Sequence, residues 1–225
     1  MPDRNNNGWR TQPMYSFSEV AHLSHVSVGT VRNWLRGYTT EQGAVEPLFR
    51  THPEEEKACS FLQLIEIVVA ANFRKAEHLP FKTVRLAYDN ARKIYELEYP
   101  FAHMRLKAIG GHIVHIMHVP EASLRAIDEP EQYTLPNLVQ EIIEQQIEYE
   151  LELANKWYPL GKSIPIVVDP QISGGLPVIQ GRGVTIETIH KRFKTGQKID
   201  FIADDFDITP VVIEDVIRYA EKVTV

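Results

Sequence analysis

Hydrophobic and polar positions recur at helical spacing near the start of the chain, in the stretch FSEVAHLSHVSVGTVRNWLRG. Its first apolar run predicts a short helix with Ser18 as the N-cap. After a tight turn, Ser27 caps a second helix that Gly37 ends. The apolar face of the second helix carries Val28, Val31, Trp34 and Leu35. Two short helices joined in this way predict a helix-turn-helix over residues 18–36.

The residues that follow predict a β-hairpin wing. Residues 38–50 hold β-branched and aromatic side chains around Gly43, which suits two short strands and a turn. These side chains are Thr39, Thr40, Val45 and Phe49. A hairpin directly after a helix-turn-helix makes a winged helix-turn-helix.

Two longer helices are predicted after the wing. Ser60 and Gln63 match the capping box that begins a helix, and the stretch SFLQLIEIVVAANFRKA is apolar on much of its surface, so this helix should be largely buried. Pro80 is expected to start the next helix, which runs to about Leu97. Its predicted inward positions are Val84, Tyr88, Ala91 and Tyr95, and its outward ones are Lys82, Arg85, Arg92 and Lys93.

The second half of the chain predicts a mixed connector and a second small domain. Residues 99–161 combine the β-branched stretch HIVHIMHV, a helix from about Pro136 and the alternating stretch EYELELA. The strand IPIVVDP and the turns of GGLPVIQGRGVTI follow. Three helices are predicted last, at about residues 187–195, 199–206 and 210–223, and the final pair again has helix-turn-helix spacing.

These elements predict a mostly helical α+β chain in four parts. Residues 1–14 are polar and Asn-rich, which predicts a flexible leader. Residues 15–98 form the winged helix-turn-helix and its following helices, and residues 99–161 form the α+β connector. Residues 162–225 form a β-hairpin plus three-helix domain.

Composition and charge narrow the class of protein. A hydrophobic fraction of 44% and a charged fraction of 24% are typical of a soluble globular protein. No run of eighteen apolar residues and no secretory signal are present, so we expect a cytoplasmic protein, and the lone Cys59 should be a buried thiol. Residues 1–110 carry 14 Lys and Arg against 12 Asp and Glu, whereas residues 111–225 carry 10 against 18. This asymmetry favours phosphate contact at the N-terminal end only.

The second helix of the N-terminal motif is the predicted DNA-reading element. Such a helix enters the major groove with its N-terminal half toward the base edges. Hydroxyl, guanidinium and amide groups lie off its apolar stripe, and they can bond base edges or phosphates. The predicted DNA-binding residues are Ser27, Thr30, Arg32, Asn33, Arg36 and Tyr38. The alternative is a helical hairpin that contacts no nucleic acid.

Two further patterns are interpreted as structural. His112, His115 and His118 suggest a metal site, but in a strand His115 would face away from the other two, so no metal is predicted. The glycines of GGLPVIQGRG suggest a phosphate cradle, yet no Gly-Lys-Ser/Thr follows, and hairpin turns are favoured. No cofactor is predicted.

Acidic residues concentrate in the last two helices. They have no His or Cys partner that would complete a catalytic set, so no enzymatic activity is predicted. They form either a solvated face or a docking surface for a protein partner. The candidate partner-binding residues are Asp204, Asp205, Asp207, Glu214 and Asp215.

Both ends of the chain resemble known bacterial families. The stretch YSFSEVAHLSHVSVGTVRNWLRG resembles the winged helix-turn-helix of MerR-type regulators. The run IVVDPQISGGLPVIQGRGVTIETIHKRFKTGQKIDFIADDFDITPVVIEDVIRYAE resembles a small domain long catalogued as of unknown function and common in VapB-like antitoxins. Many short relatives have Thr-Arg where this chain has Arg182-Gly183, so no role is carried over to Arg182.

The resemblance implies a DNA-binding antitoxin of a type II toxin–antitoxin pair. Such a protein represses its own operon and neutralises a PIN-domain ribonuclease toxin encoded beside it. It also implies a homodimer on operator DNA, since MerR-type relatives dimerise through a helix after the same domain. Two alternatives stay open: a regulator that responds to a small-molecule effector without a toxin, and a hydrolase that uses the C-terminal carboxylates.

Overall fold

The computed structural model describes residues 8–49, 58–77, 81–104, 106 and 141–223. Helices dominate these residues, and the strands are short, so the α+β class predicted from the sequence is confirmed. The helices are α1 (Gly8–Thr11), α2 (Phe17–Ser24), α3 (Val28–Arg36), α4 (Phe61–Glu77), α5 (Phe81–Tyr95), α6 (Ile186–Lys194), α7 (Ile199–Phe206) and α8 (Pro210–Val223). Short 3-10 turns lie at Pro100–Ala102 and Ser173–Gly175, and a π-helical turn lies at Ile142–Gln146.

The strands pair in antiparallel couples. They are β1 (Tyr15–Ser16), β2 (Tyr38–Thr40), β3 (Gly43–Val45), β4 (Ala58–Cys59), β5 (Ile147–Glu150), β6 (Leu153–Trp157), β7 (Ile166–Val167) and β8 (Val178–Ile179). The pairs are β1 with β4, β2 with β3, β5 with β6, and β7 with β8. Trp157 and Val168 form a further antiparallel bridge, which joins the connector hairpin to the C-terminal domain.

Helix α4 is the centre of the N-terminal core. The capping box at its start is formed as predicted: the Ser60 N–H donates to Gln63 Oε1 at 2.9 Å, and the Gln63 N–H donates to Ser60 Oγ at 3.3 Å. Every residue from 61 to 70 is buried, which confirms the largely buried helix. Cys59, just before it, is buried and in no disulfide.

A carboxylate lies inside this core. Glu66 is fully buried in α4, and the Tyr88 hydroxyl of α5 hydrogen-bonds its two carboxylate oxygens at 3.0 and 2.9 Å. Burial raises the pKa of Glu66 well above its ordinary value, although the Tyr88 hydrogen bond acts in the opposite direction. The N-terminal core therefore contains a group whose charge is costly.

The C-terminal domain has an apolar core of its own. Helices α6, α7 and α8 pack with β7 and β8 around a shared cluster of side chains. Its fully buried members include Ile166, Ile189, Ile202, Ile213 and Val216. The predicted bounds of α7 and α8 are confirmed, and α6 begins one residue earlier than expected because Thr185 is its N-cap.

Part of the predicted flexible leader is anchored. Residues 8–11 form α1, and Arg10 is fully buried, with its Nη2 donating to Glu150 Oε2 at 2.6 Å and to Asn155 Oδ1 at 3.0 Å. The first seven residues of that leader lie outside the described residues. So do the stretch HIVHIMHV and the helix expected from Pro136 up to residue 140, while EYELELA forms the β5–β6 hairpin.

The first helix of the N-terminal motif also begins earlier than predicted. Its N-cap is Ser16, not Ser18, because Ser16 Oγ accepts from the Glu19 N–H at 3.2 Å and Glu19 Oε2 accepts from the Ser16 N–H at 2.7 Å. This reciprocal capping box satisfies two backbone donors, which a cap at Ser18 could not do with the residues that follow it.

Candidate nucleic-acid interface

The turn between α2 and α3 gives the helix-turn-helix its shape. His25 adopts the left-handed conformation (φ 55°), and its backbone N–H points to the carbonyls of Ala21 and His22. The Val26 N–H also donates to the Ala21 carbonyl, at 3.2 Å. The buried residues Val20 and Val31 then hold the two helices together and leave the other face of α3 toward solvent.

The N-terminus of α3 is fixed by its own hydroxyl groups. Ser27 Oγ accepts from the Thr30 N–H at 3.0 Å, and the Ser27 and Thr30 hydroxyls lie 2.9 Å apart. Ser27 is therefore the N-cap, as predicted, and both hydroxyls already have a local partner. Val28, expected on the buried face, is 38% exposed because it occupies the first helical position, beyond the contact with α2.

Three of the four remaining predicted DNA-binding residues are exposed. Arg32 is exposed and forms no hydrogen bond or ion pair with any residue that the structure describes. Asn33 is half-buried, and Tyr38 is 39% exposed. Arg36 is exposed, with its guanidinium carbon 4.9 Å from the centre of the Phe17 ring, a cation–π contact that orients it. We refer to Arg32, Asn33, Arg36 and Tyr38 as the reading surface.

A β-hairpin wing stands beside the reading surface, as the sequence predicts. Tyr38 pairs with Val45, Thr39 with Ala44 and Thr40 with Gly43, and the hairpin ends before the buried Phe49. Gly37 makes the sharp exit from α3 possible: its φ is +72°, and a Cβ there would lie 2.2 Å from the Val45 carbonyl oxygen. Only glycine can occupy that position without displacing the wing.

The wing is tied to α3 and α5 by backbone carbonyls. The Trp34 carbonyl accepts from the N–H groups of Leu48 at 2.8 Å and Phe49 at 3.1 Å. Arg85 of α5 donates from Nη2 to the Glu46 carbonyl at 2.5 Å and from Nη1 to the Pro47 carbonyl at 3.0 Å. Helical periodicity predicts only that Arg85 points outward. It does not predict these two hydrogen bonds, because the partners lie nearly forty residues away in the sequence.

The C-terminal motif carries the five carboxylates that the sequence suggests as a solvated face or a partner-docking surface. Three of the five are in ion pairs: Asp205 with Arg192, Asp207 with Arg182 at 2.6 Å, and Asp215 with Arg218 at 3.0 Å. Asp204 and Glu214 are exposed and have no ion pair among the described residues. Their local charge is thus partly neutralised, and Asp204 and Glu214 remain as the unpaired acidic groups.

Two open spaces separate the N-terminal helix-turn-helix from the C-terminal domain. A groove of about 610 Å³ lies between α2 and α6 and is lined in part by Glu19, His22, Ile186, His190 and Lys191. A cleft of about 770 Å³, which we call the junction cleft, lies where the α2–α3 turn meets α4 and α8. It is lined by Ser24, His25, Ala71, Asn72, Lys75, Arg218, Glu221 and Lys222.

His112, His115 and His118 lie outside the described residues. Within the described residues, His, Cys, Asp and Glu side chains do not gather in any group of three or more that could hold a metal ion. None of the helices described is both long and apolar enough to span a membrane.

Comparison with known proteins bears on the C-terminal domain and on the whole fold. The curated "Uncharacterized protein Rv2308" of Mycobacterium tuberculosis (strain ATCC 25618 / H37Rv) is 24% identical over 220 residues, 93% of this chain and 90% of that protein. The X-ray crystal structure of Rv2018 from Mycobacterium tuberculosis superposes with a TM-score of 0.71 at 21% identity, covering 91% of this chain and 97% of its own. Residues 166–220 match the family described as "Protein of unknown function (DUF433)".

Proposed function

We propose that the protein is a DNA-binding antitoxin of a type II toxin–antitoxin pair. Its N-terminal winged helix-turn-helix would bind operator DNA and repress its own operon. Its C-terminal domain would neutralise a PIN-domain ribonuclease encoded beside it. The observation that carries the DNA-binding half is the reading surface, where Arg32 is exposed and unpaired among the described residues on a helix whose N-terminus is fixed.

The chemistry of the reading surface suits DNA. A guanidinium can bond guanine bidentately and an amide can bond adenine, and either can bond a phosphate instead. Arg32 and Asn33 supply these groups on α3, and Arg36 and Tyr38 extend the surface toward the wing. The wing is held to α3 by the Trp34 carbonyl and to α5 by Arg85. Such pre-organisation lowers the cost of binding.

The antitoxin half rests on the resemblance of the C-terminal domain to VapB-like antitoxins. Two large apolar side chains, Phe201 and Val211, are 56% and 65% exposed on this domain, near the chain positions of the unpaired Asp204 and Glu214. Acidic groups of this kind steer a basic protein surface, and a ribonuclease that binds RNA has one. A two-fold dimer on DNA is part of the same proposal, because one reading helix contacts few base pairs.

One observation favours a second candidate, a regulator that responds to a small molecule. The groove between α2 and α6 has a volume of about 610 Å³, within the range of small-molecule sites, and it borders the first helix of the reading motif. An effector there would change operator affinity in the absence of any toxin.

The test uses the full chain, its own promoter and the product of the neighbouring gene. Footprinting should show protection of inverted half-sites, and the purified protein should abolish the ribonuclease activity of the neighbouring product at equimolar ratio. Protection of the promoter without inhibition of the ribonuclease would refute the antitoxin half and support a regulator that has no toxin. Inhibition without any promoter binding would refute the DNA-binding half.

A further inference from the structure

The junction cleft brings three chain segments together next to the reading motif. The α2–α3 turn contributes His25, the last turn of α4 contributes Lys75, and the last turns of α8 contribute Arg218, Glu221 and Lys222. His25, Lys75 and Lys222 are exposed, so the cleft is open to solvent. At this cleft the end of α8 lies beside the α2–α3 turn.

The cleft carries positive charge that the described residues do not neutralise. Arg218 is paired with Asp215 at 3.0 Å, and Glu221 is paired with Lys194 at 3.5 Å. Lys75 and Lys222 have no ion-pair partner among the described residues. The chain as a whole has a net charge of −6, so a cleft with two uncompensated ammonium groups is opposite in charge to the protein as a whole.

The pKa of the His25 imidazole responds to the charges of both lysines. Its pKa is lowered first by partial burial and then by the charges of Lys75 and Lys222. Both ammonium groups therefore act on the same point, at the edge of the α2–α3 turn. An anion in the cleft would relieve this repulsion.

Stabilisation of the helix ends explains each lysine separately. Lys75 and Lys222 lie in the last turns of α4 and α8, where a cation interacts favourably with the helix dipole. That role does not require the two helix ends to meet in one cleft. It also makes no prediction about binding, so the two accounts can be separated by experiment.

The position of the cleft relative to α3 indicates what the anion is. Ser24 and His25 precede Ser27, the N-cap of α3, by only three and two residues. The N-terminal half of a reading helix enters the major groove, so the phosphates that border the groove pass close to this end. Phosphate contacts from lysine set the position of the protein on the duplex.

We propose that the junction cleft binds a backbone phosphate of DNA through Lys75 and Lys222, so that the C-terminal domain takes part in DNA binding. This inference rests on the proposed function of the N-terminal motif. It adds that DNA is held between the two domains, with Lys75 supplied by the N-terminal one and Lys222 by α8. The acidic residues at the start of α8 stay available to a protein partner.

The experiment measures the salt dependence of binding by the full-length protein with Lys75 and Lys222 both changed to Ala. The slope of log affinity against log salt should fall in magnitude by about 1–2, equally for the promoter and for an unrelated duplex. The matched control is Lys162→Ala, which removes an exposed charge that does not line the cleft; the Lys162 ammonium contacts the Glu144 carbonyl. The charge-preserving Lys75→Arg, Lys222→Arg variant should keep the slope of the wild type.

A second readout follows the His25 resonance by NMR, assigned with the variant His25→Asn. Saturating unrelated duplex should raise the pKa of His25 in the wild type and not in the Lys75→Ala, Lys222→Ala variant. Inorganic phosphate at millimolar concentration is the comparison. If phosphate raises that pKa and duplex does not, the cleft is a site for a free anion and the DNA contact is refuted.

The outcomes for the two proposals differ. An unchanged slope in the double-alanine variant, with wild-type protein still specific for its promoter, overturns the cleft contact and leaves the proposed function standing. A wild-type protein that binds all duplexes alike, with a reduced slope in the variant, refutes the proposed operator binding and supports the cleft. Absence of any DNA binding at low salt overturns both.

Discussion

The two helix-turn-helix motifs of this chain have nearly the same backbone and opposite chemistry. In each, a left-handed residue makes the turn, His25 with φ 55° and Asp207 with φ 52°. In each, the N–H of the next residue donates to the carbonyl four positions before the turn residue: Val26 to Ala21 at 3.2 Å and Ile208 to Ala203 at 3.0 Å. The turn geometry of the backbone therefore does not distinguish the two motifs, and their function depends on their side chains.

The side chains on the second helix distinguish the motifs. Helix α3 exposes Arg32 and Arg36, whereas α8 exposes Val211 and Glu214. The turns also differ in charge. His25 lies beside Lys75 and Lys222, whereas Asp207 is an acidic residue paired with Arg182. Charges near the start of a helix attract or repel phosphates at short range, so α3 is better suited than α8 to enter a DNA groove.

The largest predicted difference between the motifs concerns their turns and exits. Gly37→Ala should destabilise the protein by about 3 kcal/mol or more, since it combines a left-handed φ with a backbone clash against Val45. Asp207→Gly, at the left-handed turn residue of the C-terminal motif, should change stability by less than about 1 kcal/mol, because it relieves the φ and loses an exposed ion pair. Urea unfolding measures both; equal effects would contradict the account of the wing.

The folding stability of the N-terminal core should depend on pH differently from that of the C-terminal core, because the N-terminal core contains the buried carboxyl group of Glu66. The raised pKa of Glu66 means that the folded state keeps this proton to higher pH than the unfolded chain does. Its contribution to stability is therefore complete below the ordinary Glu pKa and is lost as the pH rises toward the folded value.

Glu66→Gln should remove this dependence and make the protein more stable than wild type at pH 8, by about 1 kcal/mol or more. The Tyr88 hydroxyl can still donate to the Gln oxygen, so the hydrogen bond is kept. Urea denaturation between pH 4 and pH 8 checks this, and parallel curves for the two proteins would show that Glu66 is charged in the fold. Glu214→Gln is the control for the same change at an exposed carboxylate.

The smallest predicted effect concerns toxin association. Reversing the two unpaired carboxylates, with Asp204→Lys and Glu214→Lys, should slow association several-fold, chiefly through the on-rate and more strongly at low salt. Reversal of Asp205, which is paired with Arg192, would also break that ion pair and is a poorer test. Stopped-flow kinetics with the neighbouring gene product measure the rate, and an unchanged on-rate at low salt would rule out steering by these groups.

Local signals carried much of the fold prediction. The first and last residues of α7 and α8 are predictable because Pro210 and the apolar spacing of Ile202, Ile213 and Ile217 are visible in the sequence. Ser60 and Gln63 marked the start of α4 in the same way. The predicted N-cap of α2, Ser18, is wrong, because serine is a good cap residue at either position. The capping-box spacing of Ser16 and Glu19 is the signal that identifies the observed cap.

Contacts between distant residues were not predictable. Arg10 is buried against Glu150, and Arg85 anchors the wing at Glu46, yet nothing in the sequence around either arginine indicates its partner. The same limit applied to the acidic residues of the C-terminal domain. Their number and spacing were visible, but the pairing of Asp207 with Arg182 depends on how the β8 turn packs against α7.

We propose that α3, and not α8, reads DNA. The most direct test is the affinity of the full-length protein for its own promoter, measured by fluorescence anisotropy for Arg32→Ala in α3 and Glu214→Ala in α8. Arg32→Ala should cost about 1–3 kcal/mol at the promoter and relax specificity, while Glu214→Ala should leave promoter affinity unchanged or slightly higher. Unchanged promoter affinity for Arg32→Ala, with a loss for Glu214→Ala, would contradict it.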